Sequence, residues 1–239
     1  MKALETSLWI MYGLLWLGGI ANYTLFDTPS PAAAWAGPLF LWCAFAIALL
    51  PASPALRRWL LLAALGGFLA ELLGLHTGIL FGSYHYGEAL GPKLLGVPLS
   101  IAAAWGVLMA GAASLASPGK RLLGAIPVSL WMVCADLLID PLASGPLGYW
   151  QWPASGPYYG VPLHNFLGWF IVSLLLALLL PRRTIVPRRS VMAALSILGF
   201  YGIIALSIPG MRPLSLVALC LLLLSFRNWS RGNPVSGTL

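Results

Sequence analysis

Three carboxylic acids, Glu71, Asp136 and Asp140, lie within otherwise apolar stretches of this 239-residue sequence. An ionisable side chain inside a membrane-length apolar segment is costly, so each acid is a candidate functional group. Asp136 and Asp140 are four residues apart and therefore share one face of a helix, which Pro141 is expected to end. At Asp140, both burial and the negative end of the helix dipole disfavour a carboxylate. Asp140 is therefore a candidate proton donor.

A purely structural interpretation also exists for these acids, because a buried polar group can simply satisfy a neighbouring helix. Three acids beneath two aromatic loops favour a functional interpretation. Asn165 follows Pro162, a predicted first helical residue, and could orient a water molecule or hold a carboxyl group. The predicted catalytic set is Glu71, Asp136, Asp140 and Asn165.

Two segments, 81–95 and 145–160, are rich in glycine, proline and aromatic residues and carry almost no charge. Their aromatic residues could belong to an interfacial belt, and His164 could be an ordinary interfacial histidine. Aromatic faces also stabilise cations, so rings beside buried acids would suit protonation of an alkene and shielding of the carbocation. The predicted substrate-binding residues are Tyr84, Tyr86, Trp150, Trp152, Tyr158, Tyr159, His164 and Trp169.

An internal repeat is predicted from motifs that recur in fixed order about 65 residues apart. The sequence GVPL occurs at 96–99 and again at 160–163, and a glycine followed by two alternating aromatics precedes each copy. Glu71 in the first copy matches Asp136 in the second. Two helices per copy imply an axis along the membrane normal, as in parallel-repeat membrane proteins. The predicted repeat units are about 58–116 and 122–180.

The elements that must position these residues are predicted to be transmembrane helices. The chain is 60% hydrophobic and only 8% charged, far below the roughly 25% charge typical of soluble domains. A membrane-spanning helix needs about 20 apolar residues. We predict an all-α, polytopic bundle in one domain, 1–239, with a polar tail at 230–239. The eight predicted spans are 7–26, 32–50, 58–80, 96–116, 122–140, 161–180, 188–208 and 212–227.

The positive charges predict the orientation of this bundle. Eleven of the thirteen lysines and arginines fall at one side of the predicted spans, and Lys93 and Arg212 fall at the other. The positive-inside rule then places both termini in the cytoplasm of an integral cell-membrane protein, whose first span is retained. Short basic clusters between apolar runs do not follow a phosphate backbone, so no nucleic acid is expected. The three cysteines show neither metal-binding spacing nor a disulfide framework.

The motif around these acids resembles the membrane carotenoid-biosynthesis protein family, which includes carotenoid 1,2-hydratases of the bisanhydrobacterioruberin hydratase type. The resemblance is strongest over 65–180. It rests on Asp136-x-x-x-Asp140-Pro141, on Gly148-x-Trp150-x-Trp152, and on the run from Gly156 to Trp169 that contains Tyr158, Gly160-Val161-Pro162, Asn165-Phe166 and Gly168.

The resemblance implies a hydratase that needs neither metal nor redox cofactor. Its substrate would be a lipophilic carotenoid that enters from the bilayer. Its partners would be membrane lipid and other carotenoid-pathway enzymes. An acid would protonate the terminal double bond, and water would capture the tertiary cation. A membrane terpenoid or carotenoid cyclase with the same acid chemistry, or a small lipid transporter, remains an alternative at this point.

Overall fold

A computed structural model describes residues 2–26, 33, 35–116, 121–182 and 184–232. Within these ranges the chain forms eight helices, in agreement with the predicted all-α class, and each helix coincides with one predicted apolar segment. The helices are α1 Lys2–Thr24, α2 Ala36–Leu49, α3 Pro54–Thr77, α4 Ser100–Ala113, α5 Arg121–Ser144, α6 Leu163–Leu178, α7 Arg188–Ser207 and α8 Leu214–Gly232. Predictions for the loop 27–31, Lys120, Arg183 and the tail beyond 232 lie outside the described residues.

Three of the described helices, α3, α5 and α7, are by length and composition long and apolar enough to cross a membrane. Four others, including α4 and α6, are apolar but shorter than 18 residues over their apolar part. The site acids Glu71, Asp136 and Asp140 all lie on two of the long helices, α3 and α5.

Local sequence sets both ends of α3. Ser53 caps its start by accepting a hydrogen bond from the amide of Leu56 at 3.3 Å, and Pro54 occupies the first turn, where no amide is needed. Gly78 ends the helix in the left-handed conformation with φ +68°, which glycine adopts at no steric cost. Glu71 therefore lies two turns before a fixed helix end.

Helix α5 corrects one prediction, because it continues through Pro141 to Ser144 instead of ending at Asp140. A proline within a helix lacks the amide that would bond to the carbonyl four residues earlier. Here that carbonyl belongs to Leu137, and the hydroxyl of Tyr158 donates to it at 3.1 Å. The aromatic loop thus replaces the missing helical hydrogen bond, and Asp140 stays on a regular helix. Pro162 likewise precedes α6 as its cap instead of occupying the first helical position.

The two aromatic loops contain short strands that the sequence did not indicate. Strands β1 His85–Tyr86 and β4 Trp150–Gln151 pair antiparallel and join one loop to the other. In this ladder His85 faces Gln151 and Tyr86 faces Trp150. A second pair, β2 Lys93–Leu94 and β3 Val97–Pro98, folds the first loop back on itself. The paired loops cover one end of the helices that carry the acids.

Helix α4 is the centre of the packing. It contacts α2, α3, α5 and α7, and most of its residues are buried. Helices α3 and α4 form one hairpin and α5 and α6 another, and the hairpins contact each other through α3 with α6 and α4 with α5. Gly67 of α3 permits a close approach of the Trp105 side chain on α4, because a Cβ at position 67 would lie 2.1 Å from Cγ of Trp105. This glycine brings the Trp105 indole against α3, near Glu71.

Candidate active site

Glu71 accepts hydrogen bonds from three aromatic donors. Its Oε2 accepts from the hydroxyls of Tyr84 at 2.5 Å and Tyr86 at 2.8 Å, and its Oε1 accepts from Nε1 of Trp105 at 3.1 Å. The side chain is buried, with 6% of the residue exposed. Burial is the largest cause that raises the pKa of both tyrosines well above the usual range, and a negative charge on Glu71 is the second. Both phenols therefore remain protonated donors.

Asp140 is held in a similar way by the second aromatic loop. Its Oδ1 accepts from Nε1 of Trp150 at 2.7 Å and of Trp152 at 3.2 Å, and its Oδ2 accepts from Nδ2 of Asn165 at 2.6 Å. The residue is 1% exposed. Tyrosine hydroxyls around Glu71 and indole nitrogens around Asp140 thus come from matching positions of the two loops.

Asp136 lies one helical turn below Asp140 and shares its amide partner. Nδ2 of Asn165 also donates to Oδ2 of Asp136 at 2.6 Å, so a single side chain joins the two acids. Among the described residues, Oδ1 of Asp136 has no hydrogen-bond partner, although this aspartate is completely buried. Asn165 is itself 2% exposed and lies in the first turn of α6.

Glu71 and Asp140 face a common cavity of about 60 Å³, whereas Asp136 is not among the residues that line it. The repeat aligns Glu71 with Asp136, whereas the loop aromatics donate hydrogen bonds to Glu71 and Asp140. The physical reason is the continuation of α5 past Pro141, which keeps Asp140 within reach of the loop. Asn165 also lines the cavity as a polar residue, and the remaining lining residues are apolar or aromatic.

Nine of the nineteen residues that line the cavity are aromatic. Trp105 and Trp169 stack with ring centroids 4.4 Å apart and an interplanar angle of 15°. Two further contacts cross between the loops, Tyr84 with Trp152 at 5.2 Å and Tyr86 with Trp150 at 5.9 Å. Such rings exclude water and present electron-rich faces to a cation.

The remaining predicted substrate-binding residues lie away from this cavity. Tyr158 supports the Leu137 carbonyl, Tyr159 is 41% exposed, and His164 is exposed on α6. None of the three is among the residues that line the cavity.

Several cavity residues were missed by the sequence reasoning. Trp105 could have been found, since it matches Trp169 in the repeat. Tyr149 adjoins the second aromatic motif, but nothing in the sequence separates Tyr201 from other residues of an apolar helix. In the described part of the chain, no group of three or more His, Cys, Asp or Glu residues is placed to hold a metal ion.

Comparison with known proteins agrees with the motif. Residues 36–225 match the model of a family described as carotenoid biosynthesis protein. A stretch of 111 residues is 34% identical to bisanhydrobacterioruberin hydratase from Haloarcula japonica, covering 42% of this chain and 36% of that protein. The matched stretch is thus little more than a third of the relative's length. No solved structure matches the chain.

Proposed function

This chain belongs to the carotenoid biosynthesis protein family, and from that premise we propose that it hydrates the terminal 1,2 double bond of an acyclic carotenoid end group. One observation carries the proposal: two buried carboxyl groups, Glu71 on α3 and Asp140 on α5, face the same aromatic cavity. The similarity to a relative named as a hydratase supports hydration as the reaction.

In the proposed reaction Asp140 is the general acid. Its O–H bond breaks, a C–H bond forms at C2 of the end group, and a tertiary cation remains at C1. The oxygen of a water molecule then bonds to C1, and one proton of that water passes to the Glu71 carboxylate. Alkene and water become a tertiary alcohol, and proton exchange among the acids and water restores the starting state. General acid–base steps of this kind typically contribute about 10²–10⁴-fold to the rate.

Asp136 and Asn165 are proposed to support the acid, Asn165 from the cavity wall and Asp136 from outside the cavity. The Asn165 amide bonds to both aspartates at 2.6 Å, so it fixes the Asp140 carboxyl and links it to a second carboxyl that can hold a proton. The donors that hold Glu71 and Asp140 are neutral indoles, phenols and an amide. None of these donors is basic, so none of them takes the proton that Asp140 is proposed to deliver.

The aromatic wall is proposed to stabilise the cation until water reaches it. Stacked indoles at Trp105 and Trp169 lie in the cavity wall with the acids. A cation over an aromatic face gains roughly 0.5–2 kcal/mol, the larger value where water is excluded.

We also propose a multi-pass arrangement with about eight spans, a duplicated helical hairpin and both termini in the cytoplasm. The duplication is supported by contacts that pair equivalent positions of the two copies: Trp105 with Trp169, and His85 with Gln151 at the centre of the ladder. The Tyr84–Trp152 and Tyr86–Trp150 contacts exchange with each other under the same relation. In this alignment the second copy carries two acids, Asp136 and Asp140, where the first copy carries only Glu71.

The test is conversion of a purified acyclic carotenoid by the full-length protein in lipid nanodiscs. A product heavier by one water, formed by the wild type and not by Asp140→Asn, is expected. A cyclised product of unchanged mass would identify a cyclase. Uptake into proteoliposomes without chemical change would identify a transporter. Either of these two results would refute hydration.

A further inference from the structure

The acid cavity is too small for the substrate proposed above. Ligand pockets usually measure about 300–1,000 Å³, whereas this cavity measures about 60 Å³. A cavity of this size can hold the end group of a carotenoid but not the long polyene chain attached to it. The remainder of the molecule therefore needs a second, elongated and apolar site that is continuous with the cavity.

Such a site lies beside the cavity, between residues 11–23 of α1, with Phe26 just beyond that helix, and residues 35–41 at the start of α2. This α1/α2 groove has a volume of about 540 Å³ and extends to Phe200 of α7. At 1.5 Å per residue, the part of α1 that lines it is roughly 18 Å long. Its size and shape are thus those of a chain-like ligand.

The α1/α2 groove and the acid cavity share four wall residues, Leu41, Leu90, Tyr149 and Tyr201. At this shared wall the hydroxyls of Tyr23 and Tyr149 are hydrogen-bonded at 2.9 Å. A ligand lying in the groove therefore has its end directly against the wall of the acid cavity.

The chemistry of the groove indicates its occupant. No charged side chain is among the described residues that line it, and its polar lining is Asn22 with the tyrosines. The outer edges carry Leu14, Phe26 and Trp35, each more than 60% exposed, which opens the groove sideways. A phospholipid would also bring a charged headgroup, for which the described lining offers no charged partner.

We propose that the α1/α2 groove binds the polyene chain of the carotenoid while the end group passes the Tyr149 wall to reach Glu71 and Asp140. This inference rests on the proposed function for its substrate class. It adds a binding site, a direction of approach from the side of α1 and α2, and a dependence on chain length.

Two glycines of α1 provide a matched pair of variants. A Cβ built at Gly18 or at Gly13 meets no atom within 4 Å, so the first side-chain carbon is accommodated at either position. Gly18 lines the α1/α2 groove and Gly13 does not. Gly18→Phe would fill part of the groove, and Gly13→Phe is the control on the same helix.

Binding is measured first, with an unreactive linear polyene whose ends are saturated, by quenching of tryptophan fluorescence in nanodiscs. Gly18→Phe is expected to raise the Kd at least tenfold, about 1.4 kcal/mol, while Gly13→Phe stays close to wild type. Equal affinities of the two variants would overturn the inference. So would a phospholipid that co-purifies in the groove and that the polyene does not displace.

Turnover is measured second, with a long carotenoid and with a short acyclic terpenoid that carries the same terminal double bond. Gly18→Phe is expected to lower kcat/KM for the long substrate about tenfold more than for the short one. An equal loss for both would overturn the assignment of the groove to the chain. Groove-dependent polyene binding without hydration of either substrate by wild type would refute the proposed function and leave the binding site standing.

Discussion

The substitution Asp140→Asn tests the proposed acid with the smallest change of shape. The asparagine Oδ1 can keep the hydrogen bonds from Trp150 and Trp152, at 2.7 and 3.2 Å in the wild type. Its new amide would face the Nδ2 of Asn165, and a half-turn of the Asn165 amide converts this clash into a donor–acceptor pair. The same half-turn removes the 2.6 Å hydrogen bond from Nδ2 of Asn165 to Oδ2 of Asp136. The net stability change is therefore about 1–3 kcal/mol, the cost of leaving the buried Asp136 acceptor without its donor.

The catalytic effect of the same substitution is expected to be much larger. Loss of a general acid lowers kcat by roughly 10²–10⁴-fold, which corresponds to about 2.7–5.4 kcal/mol. KM should change little, because the shape of the cavity is retained. Steady-state conversion in nanodiscs, with the product quantified by chromatography and mass, measures kcat, and a single-turnover experiment isolates the chemical step.

Asp136→Asn is the matched control, since Asp136 shares the Asn165 amide but does not line the cavity. It is expected to lower kcat less than Asp140→Asn does. If Asp140→Asn kept kcat within a few-fold of wild type while Asp136→Asn abolished turnover, the assignment of the acid would be refuted.

Three further predictions follow from the same contacts. Glu71→Gln should abolish alcohol formation but still allow deuterium from D₂O to enter the end group, because protonation precedes water capture; absence of both would place Glu71 in the first step. Tyr86→Phe removes the 2.8 Å bond to Glu71 and should lower the free energy of unfolding by about 1–3 kcal/mol, measured by thermal unfolding in detergent. Gly67→Ala places a Cβ against Trp105 and should cost about 1–3 kcal/mol in the same assay; a neutral result would contradict the close packing.

The helices were predictable because apolar length is a local property of the sequence. All eight predicted segments lie on helices, and boundary errors arise where caps and loops decide the end. The prediction at Pro141 was wrong because the missing helical bond is supplied by Tyr158, a contact 21 residues away in sequence. No local rule reports such a partner.

The site was predictable by residue type but not in its pairing. The acids, Asn165 and the alternating aromatics were all identified from the repeat and from their cost inside apolar segments. The repeat aligns Glu71 with Asp136, yet the loop donors contact Asp140, because the second loop reaches α5 one turn nearer its end. Tyr201 joins the cavity only through tertiary packing, so composition and periodicity give no indication of it.

The ladder between β1 and β4 ties the exposure of both proposed catalytic acids to one event. Its paired residues Tyr86 and Trp150 also donate the hydrogen bonds that hold Glu71 and Asp140. Separating the strands would therefore disturb a hydrogen bond of each carboxyl group at the same time. In the proposed cycle, a new water molecule then enters and the protons re-equilibrate between one turnover and the next.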